Sequence, residues 1–226
     1  MQPVQQRIRR LATVTLIAGA LWAQASYAVP ITWTNWTSAS TIAATGTLAG
    51  LTVSFFGNIN PAAQTAGGIN FWAFNPSTYT SATVDNGPPD SDIIRLTGGP
   101  GTGIQTLTFS APVVNPVMAI LSLGNASAPT TYFFSTPFDV LNSGVGFFGG
   151  SATALVELPG NVLQGTEGHG IIQFAGTLSA ISWIIPFGEF WHGFQIGIAE
   201  TAVPEPGMWS LLGLGFALLF FARRRR

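Results

Sequence analysis

The middle of this chain carries carboxylates and imidazoles that could perform acid–base chemistry. Glu157 and Glu167 flank a predicted turn, and Glu189 stands directly before an aromatic pair. Two carboxylates beside aromatic rings would suit glycoside hydrolysis. His169 lies between two glycines close to Glu167, and His192 follows a tryptophan. No motif fixes the distances among these side chains, and the sequence has no Gly-x-Ser-x-Gly elbow, so a secreted hydrolase is the last of three functional hypotheses.

Three aspartates in one loop could bind a metal ion instead. Asp85, Asp90 and Asp92 occupy a segment rich in proline and glycine that leads into a predicted strand. Hard oxygen ligands at this spacing suit Ca²⁺, with Asn86 and backbone carbonyls completing the shell. The pattern differs from an EF-hand loop, because the glycine and the final glutamate are misplaced. Solvated loop acids are the alternative interpretation.

The tryptophans offer a third kind of chemistry, the stacking of indole rings on sugar rings. Trp36, Trp72 and Trp191 have polar or turn residues near them and are the predicted surface tryptophans. Trp33 and Trp183 complete the aromatic set in this part of the chain. The alternative is that all these rings fill a core, which is the usual fate of large aromatic side chains.

Short β-strands must position these side chains. Runs rich in β-branched and aromatic residues alternate with Gly/Pro punctuation, which predicts an antiparallel β-sandwich or jelly roll, an all-β fold. The predicted strands cover residues 31–37, 51–57, 69–74, 92–96, 105–110, 117–123, 131–135, 138–141, 153–158, 170–174, 180–185 and 194–198. Residues 58–66 read as a long loop.

Charge and cysteine content exclude several classes of function. Residues 29–202 contain one basic residue, Arg95, against eight carboxylates, which gives a net charge of −7 with histidine neutral. Nucleic-acid binding requires clustered lysine and arginine, so no nucleic-acid partner is expected. The chain has no cysteine, and this rules out disulfides and thiolate chemistry. An exported domain of this kind must be stabilised by its apolar core.

Residues 1–28 have the pattern of a secretory signal peptide. Three arginines form a positive n-region, residues 11–22 form an apolar h-region, and small residues Ser26 and Ala28 occupy the −3 and −1 positions. Cleavage is therefore expected after Ala28. A retained N-terminal membrane helix is the alternative.

The last two dozen residues combine a short motif, an apolar run and a basic end. The motif is Val203, Pro204, Glu205 and Pro206, and no charge follows until residue 223. Sixteen or so helical residues span roughly 24 Å, slightly less than a ~30 Å hydrocarbon core. Trp209 can lie at one interface, and the positive-inside bias keeps the other end cytoplasmic. That end consists of Arg223, Arg224, Arg225 and Arg226.

This arrangement resembles the PEP-CTERM sorting signal of Gram-negative bacterial surface proteins. The resemblance implies processing in the inner membrane by an exosortase, a cysteine enzyme for which this chain would be the substrate. The segment from residue 107 to 117, with Phe109, Pro112 and Pro116, also resembles a strand–turn–strand of other PEP-CTERM ectodomains, as does the region around Trp183 and Trp191. That similarity supports the sandwich and implies no activity.

Together these patterns predict three segments: a signal peptide at 1–28, a β-sandwich ectodomain at 29–202, and a sorting signal with a single transmembrane helix at 203–226. The first functional hypothesis is a non-enzymatic exported protein of the cell envelope or extracellular matrix, with exosortase, the inner membrane and extracellular polysaccharide as partners. It passes the inner membrane, is anchored there transiently and then reaches the cell surface or matrix. A carbohydrate-binding module or adhesin is the alternative. No cofactor is expected beyond the Ca²⁺ considered above.

Overall fold

The computed structural model describes residues 28–199, which fold into β-structure with two short 3-10 helices, Trp72–Phe74 and Pro76–Tyr79. Within this range no helix has the length and apolarity to cross a membrane. The strands are β1 Ile31–Trp33, β2 Asn35–Ala39, β3 Ala43–Leu48, β4 Leu51–Phe56, β5 Ile94–Leu96, β6 Ile104–Val114, β7 Val117–Leu123, β8 Thr130–Phe134, β9 Phe138–Ser143, β10 Leu155–Leu158, β11 Val162–Gly165, β12 Gly168–Phe174, β13 Thr177–Ile184 and β14 His192–Ala199.

These strands form two antiparallel sheets, so the all-β prediction is confirmed. One sheet has eight strands in the order β10-β11-β8-β13-β6-β4-β3-β2. The other has the order β1-β14-β7-β12-β9, with β5 also paired to β14. Both sheets contribute to one hydrophobic cluster, in which Phe55 and Trp183 of the larger sheet meet Phe194 of the smaller. This shared core gives the domain the layout of a β-sandwich.

Strand β7 is buried along its whole length. Met118 and Ile120 belong to the cluster between the sheets, whereas Ala119 and Leu121 belong to a second cluster on the outer face of the smaller sheet. The second cluster is closed by the long connection between β4 and β5, which supplies Trp72 among others. Because both faces are covered, the sequence of β7 is apolar at every position except Ser122 and does not alternate.

The predicted strand at 31–37 is in fact two strands in different sheets. β1 pairs with β14, and β2 pairs with β3. Thr34 lies at the change of sheet, where its N–H and its Oγ1 both donate to the carbonyl of Ile196, each at 2.9 Å. The alternation of apolar and polar residues can therefore continue from one sheet into the other, because every second side chain of both β1 and β2 still faces the core.

The predicted strand at 69–74 is wrong. Asn70 Oδ1 accepts the backbone N–H groups of Trp72 and Ala73 at 3.1 and 3.2 Å, which turns the chain into the first 3-10 helix. An asparagine that bonds to backbone two and three residues ahead favours a turn over extended structure.

The two strands β3 and β11 were missed, because Ala43–Leu48 and Val162–Gly165 are rich in small or polar residues.

The two ends of the smaller sheet differ in what they carry. Ile31 of β1 is paired with Ala199 at the end of β14, and we call this end the tether pole. At the other end, which we call the distal pole, β5 and β7 finish and β14 begins, with Leu96 paired to His192 and Leu121 to Gly193. Eight residues of strand separate Trp191 from Ala199, about 26 Å at ~3.3 Å per residue.

The fold begins at the predicted signal-cleavage site. Val29 N–H donates to the carbonyl of Thr83 at 3.2 Å, and Val29 forms a β-bridge with Val84. Ala28 precedes this first bonded residue, and Ser26 lies outside the described residues.

We expect the exported protein to begin at Val29, because cleavage after Ala28 leaves every bonded residue of the domain intact. N-terminal sequencing of the exported chain checks this. Ala28→Leu removes the small residue at −1 and should leave the precursor uncleaved, whereas Ala28→Gly should be processed normally. An exported chain that still begins at Met1 or within the h-region would contradict the prediction.

Candidate functional site

Two of the three tryptophans predicted to be exposed are buried, so that prediction is wrong for Trp36 and Trp72. Their exposed fractions are 0% and 1%. Trp36 Nε1 donates to Gln195 Oε1 at 2.8 Å, and Trp72 Nε1 donates to the carbonyl of Asp92 at 3.2 Å. Both indoles therefore have their polar atom satisfied inside the protein, and neither can stack on a sugar.

The three predicted calcium ligands do not converge either. No group of three Asp, Glu, His or Cys side chains within residues 28–199 is arranged to hold a metal ion. Asp85 and Asp90 are exposed, while Asp92 is buried and its Oδ2 accepts the backbone N–H of Trp36 at 2.8 Å. Asp90 Oδ1 accepts the N–H of Asp92 at 3.1 Å. The carboxylates of Asp90 and Asp92 therefore order the backbone, and the three aspartates do not form the predicted cage.

Gln195 is the centre of the hydrogen-bond network around these residues, and the sequence analysis missed it. Its Oε1 accepts from Trp36 Nε1 and from the N–H of Ile196, and its Nε2 donates to the carbonyls of Thr34 and Asp92. A buried amide with every strong hydrogen-bonding atom engaged stabilises one arrangement of the surrounding chain. A glutamine in an otherwise apolar strand was the available signal.

Trp191 is the predicted tryptophan that stays partly exposed, and it belongs to a larger aromatic cluster. Its ring lies 5.6 Å from Phe71 and 5.3 Å from Phe148, measured between centroids. Phe147 contacts Phe148 at 4.9 Å and Phe74 at 5.8 Å. We call Trp191, Phe148, Phe147 and Phe74, packed around the buried Phe71, the aromatic surface.

Three members of the aromatic surface were missed by the sequence analysis. Phe74, Phe147 and Phe148 are 61%, 38% and 44% exposed. Contiguous exposed apolar side chains of this kind mark interaction sites. Phe147 and Phe148 form the tip of a loop with glycines on both sides, in the sequence Gly-Val-Gly-Phe-Phe-Gly-Gly, and this glycine-flanked aromatic pair was the signal that could have identified them.

Arg95 lies at the edge of the aromatic surface. Its Cζ is 4.3 Å from the centroid of Trp191 and 5.1 Å from that of Phe71, and its Nη2 donates to Gln64 Oε1 at 3.2 Å. A guanidinium over two aromatic rings is held by cation–π attraction. The aromatic surface and Arg95 both lie around the distal pole, since Trp191 immediately precedes β14 and Arg95 is paired with Gly193.

The predicted acid–base residues Glu189 and His192 form a pair at the same pole. His192 Nδ1 lies 2.6 Å from Glu189 Oε1, and the same carboxylate oxygen accepts the N–H of Gly124 at 2.8 Å. The His192 side chain is fully buried and the Glu189 side chain is 8% exposed. The Glu189 carboxylate thus links His192, the first residue of β14, to Gly124, the residue that follows β7.

Glu167 and His169 join a separate group with Ser122, which the sequence analysis did not identify. Ser122 Oγ donates to Glu167 Oε1 at 2.5 Å, and His169 Nε2 lies 3.3 Å from the same oxygen. Ser122 and Glu167 have positive φ values of 56° and 66°, a backbone conformation that residues other than glycine rarely adopt. Ser122 lies within the register shift between β7 and β12, and Glu167 directly precedes β12.

The imidazole of His169 is fully buried and carries its proton on one defined nitrogen. Nδ1 accepts the backbone N–H of Ser122 at 3.3 Å, so the neutral ring is protonated at Nε2. Tyr79 Oη also lies 3.3 Å from Nδ1. The loop with Phe147 and Phe148 covers this ring, because a Cβ at Gly146 would overlap it.

Burial shifts the pKa values of this group. Burial lowers the pKa of His169 to about 4. Burial also raises the pKa of Glu167, the hydrogen bond from Ser122 opposes that rise, and the charge of Glu189 adds to it. A neutral imidazole and a carboxylate held by a serine could transfer a proton, but the covering loop keeps the imidazole away from solvent.

The remaining predicted acid, Glu157, lies apart on the exposed edge strand β10. No hydrogen bond or ion pair among the described residues connects it to Glu167 or Glu189. Two surface grooves of about 230 and 460 Å³ lie elsewhere, the larger lined by residues 99–104 and 184–186. Neither groove contains any of the predicted acids or histidines.

The predicted sorting residues lie outside the part of the chain that the structure describes: Val203 to Pro206, Trp209 and Arg223 to Arg226. Comparison with known protein families identifies the segment that contains them. A family model described as the PEP-CTERM protein-sorting motif matches residues 202–226. The chain carries a PEP-CTERM sorting motif. This motif implies export and sorting by an exosortase to the cell surface. The searches of curated proteins and of solved structures found no match to this PEP-CTERM chain.

Proposed function

We propose that this PEP-CTERM protein displays a non-enzymatic β-sandwich in the cell envelope or extracellular matrix after exosortase processing. The observation that carries the proposal is the match of residues 202–226 to the sorting motif. The apolar run and the four terminal arginines arrest the chain in the inner membrane with its end in the cytoplasm. The Pro-Glu-Pro segment is then the part that the processing enzyme recognises.

The fold suits this role, because the last strand ends three residues before the motif. β14 finishes at Ala199 and the matched segment begins at residue 202. Five extended residues from Ala199 to Pro204 reach at most about 18 Å. Before processing, the anchored chain therefore keeps the tether pole within about 18 Å of Pro204. The distal pole with its aromatic surface lies at the opposite end of the smaller sheet.

The non-enzymatic part of the proposal is supported by the state of the acid–base residues. His169 and His192 are fully buried, and each is engaged with a glutamate that also bonds to β7 or to the residue following it. These pairs order the distal pole and leave no imidazole free to meet a substrate. The secreted-hydrolase hypothesis stays an untested prediction.

The carbohydrate-binding alternative now depends on Trp191, since Trp36 and Trp72 are buried. The aromatic surface favours it, because exposed rings at the end of the domain farthest from the tether are placed to meet material outside the cell. Extracellular polysaccharide is the partner that fits this alternative.

The sorting proposal predicts that changes in the tail stop processing. Glu205→Ala, or deletion of Arg223 to Arg226, should leave uncleaved precursor in the membrane fraction, because the first removes the motif's charge and the second removes the cytoplasmic stop. Mass spectrometry of the mature protein from a host with exosortase measures the C-terminus directly. Glu200→Ala is the matched control, since this acid lies just outside the matched segment, and it should be processed normally.

A mature wild-type chain that still ends at Arg226 in such a host would overturn the proposal. Equal processing of Glu205→Ala and wild type would show that the motif's charge has no role. Neither outcome depends on the fold of the ectodomain, whose melting temperature should be the same in all these variants.

A further inference from the structure

Arg95 is the only basic residue in the described part of the chain, and it has no acidic partner there. All other lysine and arginine positions fall within residues 1–10 or 223–226. The close contacts between acidic and basic side chains found among residues 28–199 join histidines to glutamates, and none includes Arg95. A single cation that stays unpaired in a domain of net charge −7 is available for an anion from outside.

The guanidinium is held in place by its surroundings. Trp191 and Phe71 stack on it, and Gln64 Oε1 accepts one of its N–H groups. Its Nε is buried and has no hydrogen-bond partner among the described residues. Because the fork is already ordered, an incoming carboxylate would form its hydrogen bonds without first immobilising a flexible side chain.

Exposed rings continue directly from this cation. Phe148 contacts Trp191, Phe147 contacts Phe148, and both phenylalanines are more than a third exposed. The apolar faces of pyranose rings pack on aromatic side chains, and an arginine fork suits a carboxylate. A ligand that offers both a ring face and a carboxylate would engage both parts of this site.

We propose that Arg95, Trp191 and Phe148 bind a uronic acid unit of a polysaccharide. The carboxylate lies on the Arg95 fork, and the sugar ring or its neighbour packs against Trp191 and Phe148. The inference rests on the proposed display of the domain at the cell surface, where polysaccharide is the available ligand.

The net charge of the domain further limits which polysaccharides can bind at this site. Acidic residues outnumber Arg95 eight to one in residues 29–202, so a densely charged polyanion lying along the surface would be repelled. An occasional uronate in a mostly neutral polysaccharide fits this pattern better. An anionic membrane surface is disfavoured for the same reason.

Binding of two matched sugars to the purified full-length protein tests the proposal. The probes are a disaccharide ending in glucuronate and the same disaccharide ending in glucose, titrated by calorimetry. We expect the acidic probe to bind about tenfold or more tightly than the neutral one, the effect of one hydrogen-bonded charge pair. Arg95→Gln should abolish this preference, and Arg95→Lys should retain part of it. Trp191→Ala should weaken both probes.

Equal binding of the two probes would overturn the role of Arg95, and binding of neither would overturn the site. An Arg95→Gln variant that keeps the wild-type preference would do the same, provided that its melting temperature matches wild type. Dimerisation that depends on protein concentration and is lost in Phe148→Ser would assign the aromatic surface to a second copy of the chain. Binding to phosphatidylcholine vesicles that is lost in the same variant would assign it to a lipid surface. Either result would overturn the proposal. Because sorting is measured at the C-terminus, failure here leaves the sorting proposal intact.

Discussion

Replacing Trp36 with alanine is expected to lower the free energy of unfolding of the domain by about 3–5 kcal/mol. The indole is fully buried, contacts Phe194 edge-on at 6.3 Å and donates to Gln195. The substitution leaves a cavity between the sheets and removes one partner from a buried network, and both effects destabilise in the same direction. For a domain of this size the melting temperature should fall by about 6–20 °C.

Trp191→Ala is the matched control for this prediction. It removes the same side chain from a partly exposed position, and its cost should be about 1–2 kcal/mol, from lost contacts with Arg95 and Phe148. Thermal and denaturant unfolding of the two variants beside wild type gives the comparison. Equal destabilisation by the two substitutions would contradict the assignment of Trp36 to the core and Trp191 to the surface.

Acidification from pH 7 to pH 5 should cost the fold about 2 kcal/mol through His169 alone. The ordinary pKa of histidine is 6.5, and burial lowers the pKa of His169 to about 4 in the folded protein. Between these two values the unfolded chain binds a proton and the folded chain does not. The contribution of this residue to stability is therefore present above pH 6.5 and lost as the pH falls toward 4.

Asp92 opposes this effect. Burial, together with the charge of Asp90, raises the pKa of Asp92 to about 6, from an ordinary value of 3.8. The folded state therefore binds this proton more readily than the unfolded state, and acidification through pH 6 stabilises the fold. Glu167, which faces His169, has a raised pKa and acts in the same direction as Asp92.

The two contributions are separated by variants measured at pH 7 and pH 5. His169→Gln should lose less stability on acidification than wild type, and Asp92→Asn should lose more, by denaturant unfolding at each pH. A His169→Gln variant with the pH dependence of wild type would contradict the assignment of a low pKa to this histidine.

The all-β fold class could be predicted from the sequence, because short runs of β-branched and aromatic residues between Gly/Pro turns are typical of antiparallel β-strands. The strand that is buried along its whole length, 117–123, was predicted with its observed bounds. Details that depend on partners far along the chain were not accessible. Thr34 moves the chain from one sheet to the other by bonding to Ile196, 162 residues away, and nothing local to Thr34 indicates that contact.

The candidate site shows the same division. Trp36 and Trp72 were predicted at the surface from their polar neighbours, and Asp92 was predicted as a calcium ligand, yet all three are buried. Gln195 bonds to the Trp36 indole and to the Asp92 carbonyl, which also accepts from the Trp72 indole. Local polarity failed as a guide at Trp36 because Asn35 and Thr37 are exposed on one face of β2 while strand alternation turns the indole to the other, buried face. Arg95 was identifiable from the sequence as the lone cation of residues 29–202, but its stacking on Trp191 and Phe71 was not.

What the sequence by itself determined is the destination of the protein. The PEP-CTERM motif at residues 202–226 implies sorting by an exosortase, and it is identified from the linear order of its residues alone. What only the tertiary structure decided is that aromatic side chains and the Arg95 guanidinium come together at the distal pole. Residues 71, 95, 148 and 191 are far apart in the chain, and antiparallel pairing together with the packing of the β4–β5 connection brings them to one surface.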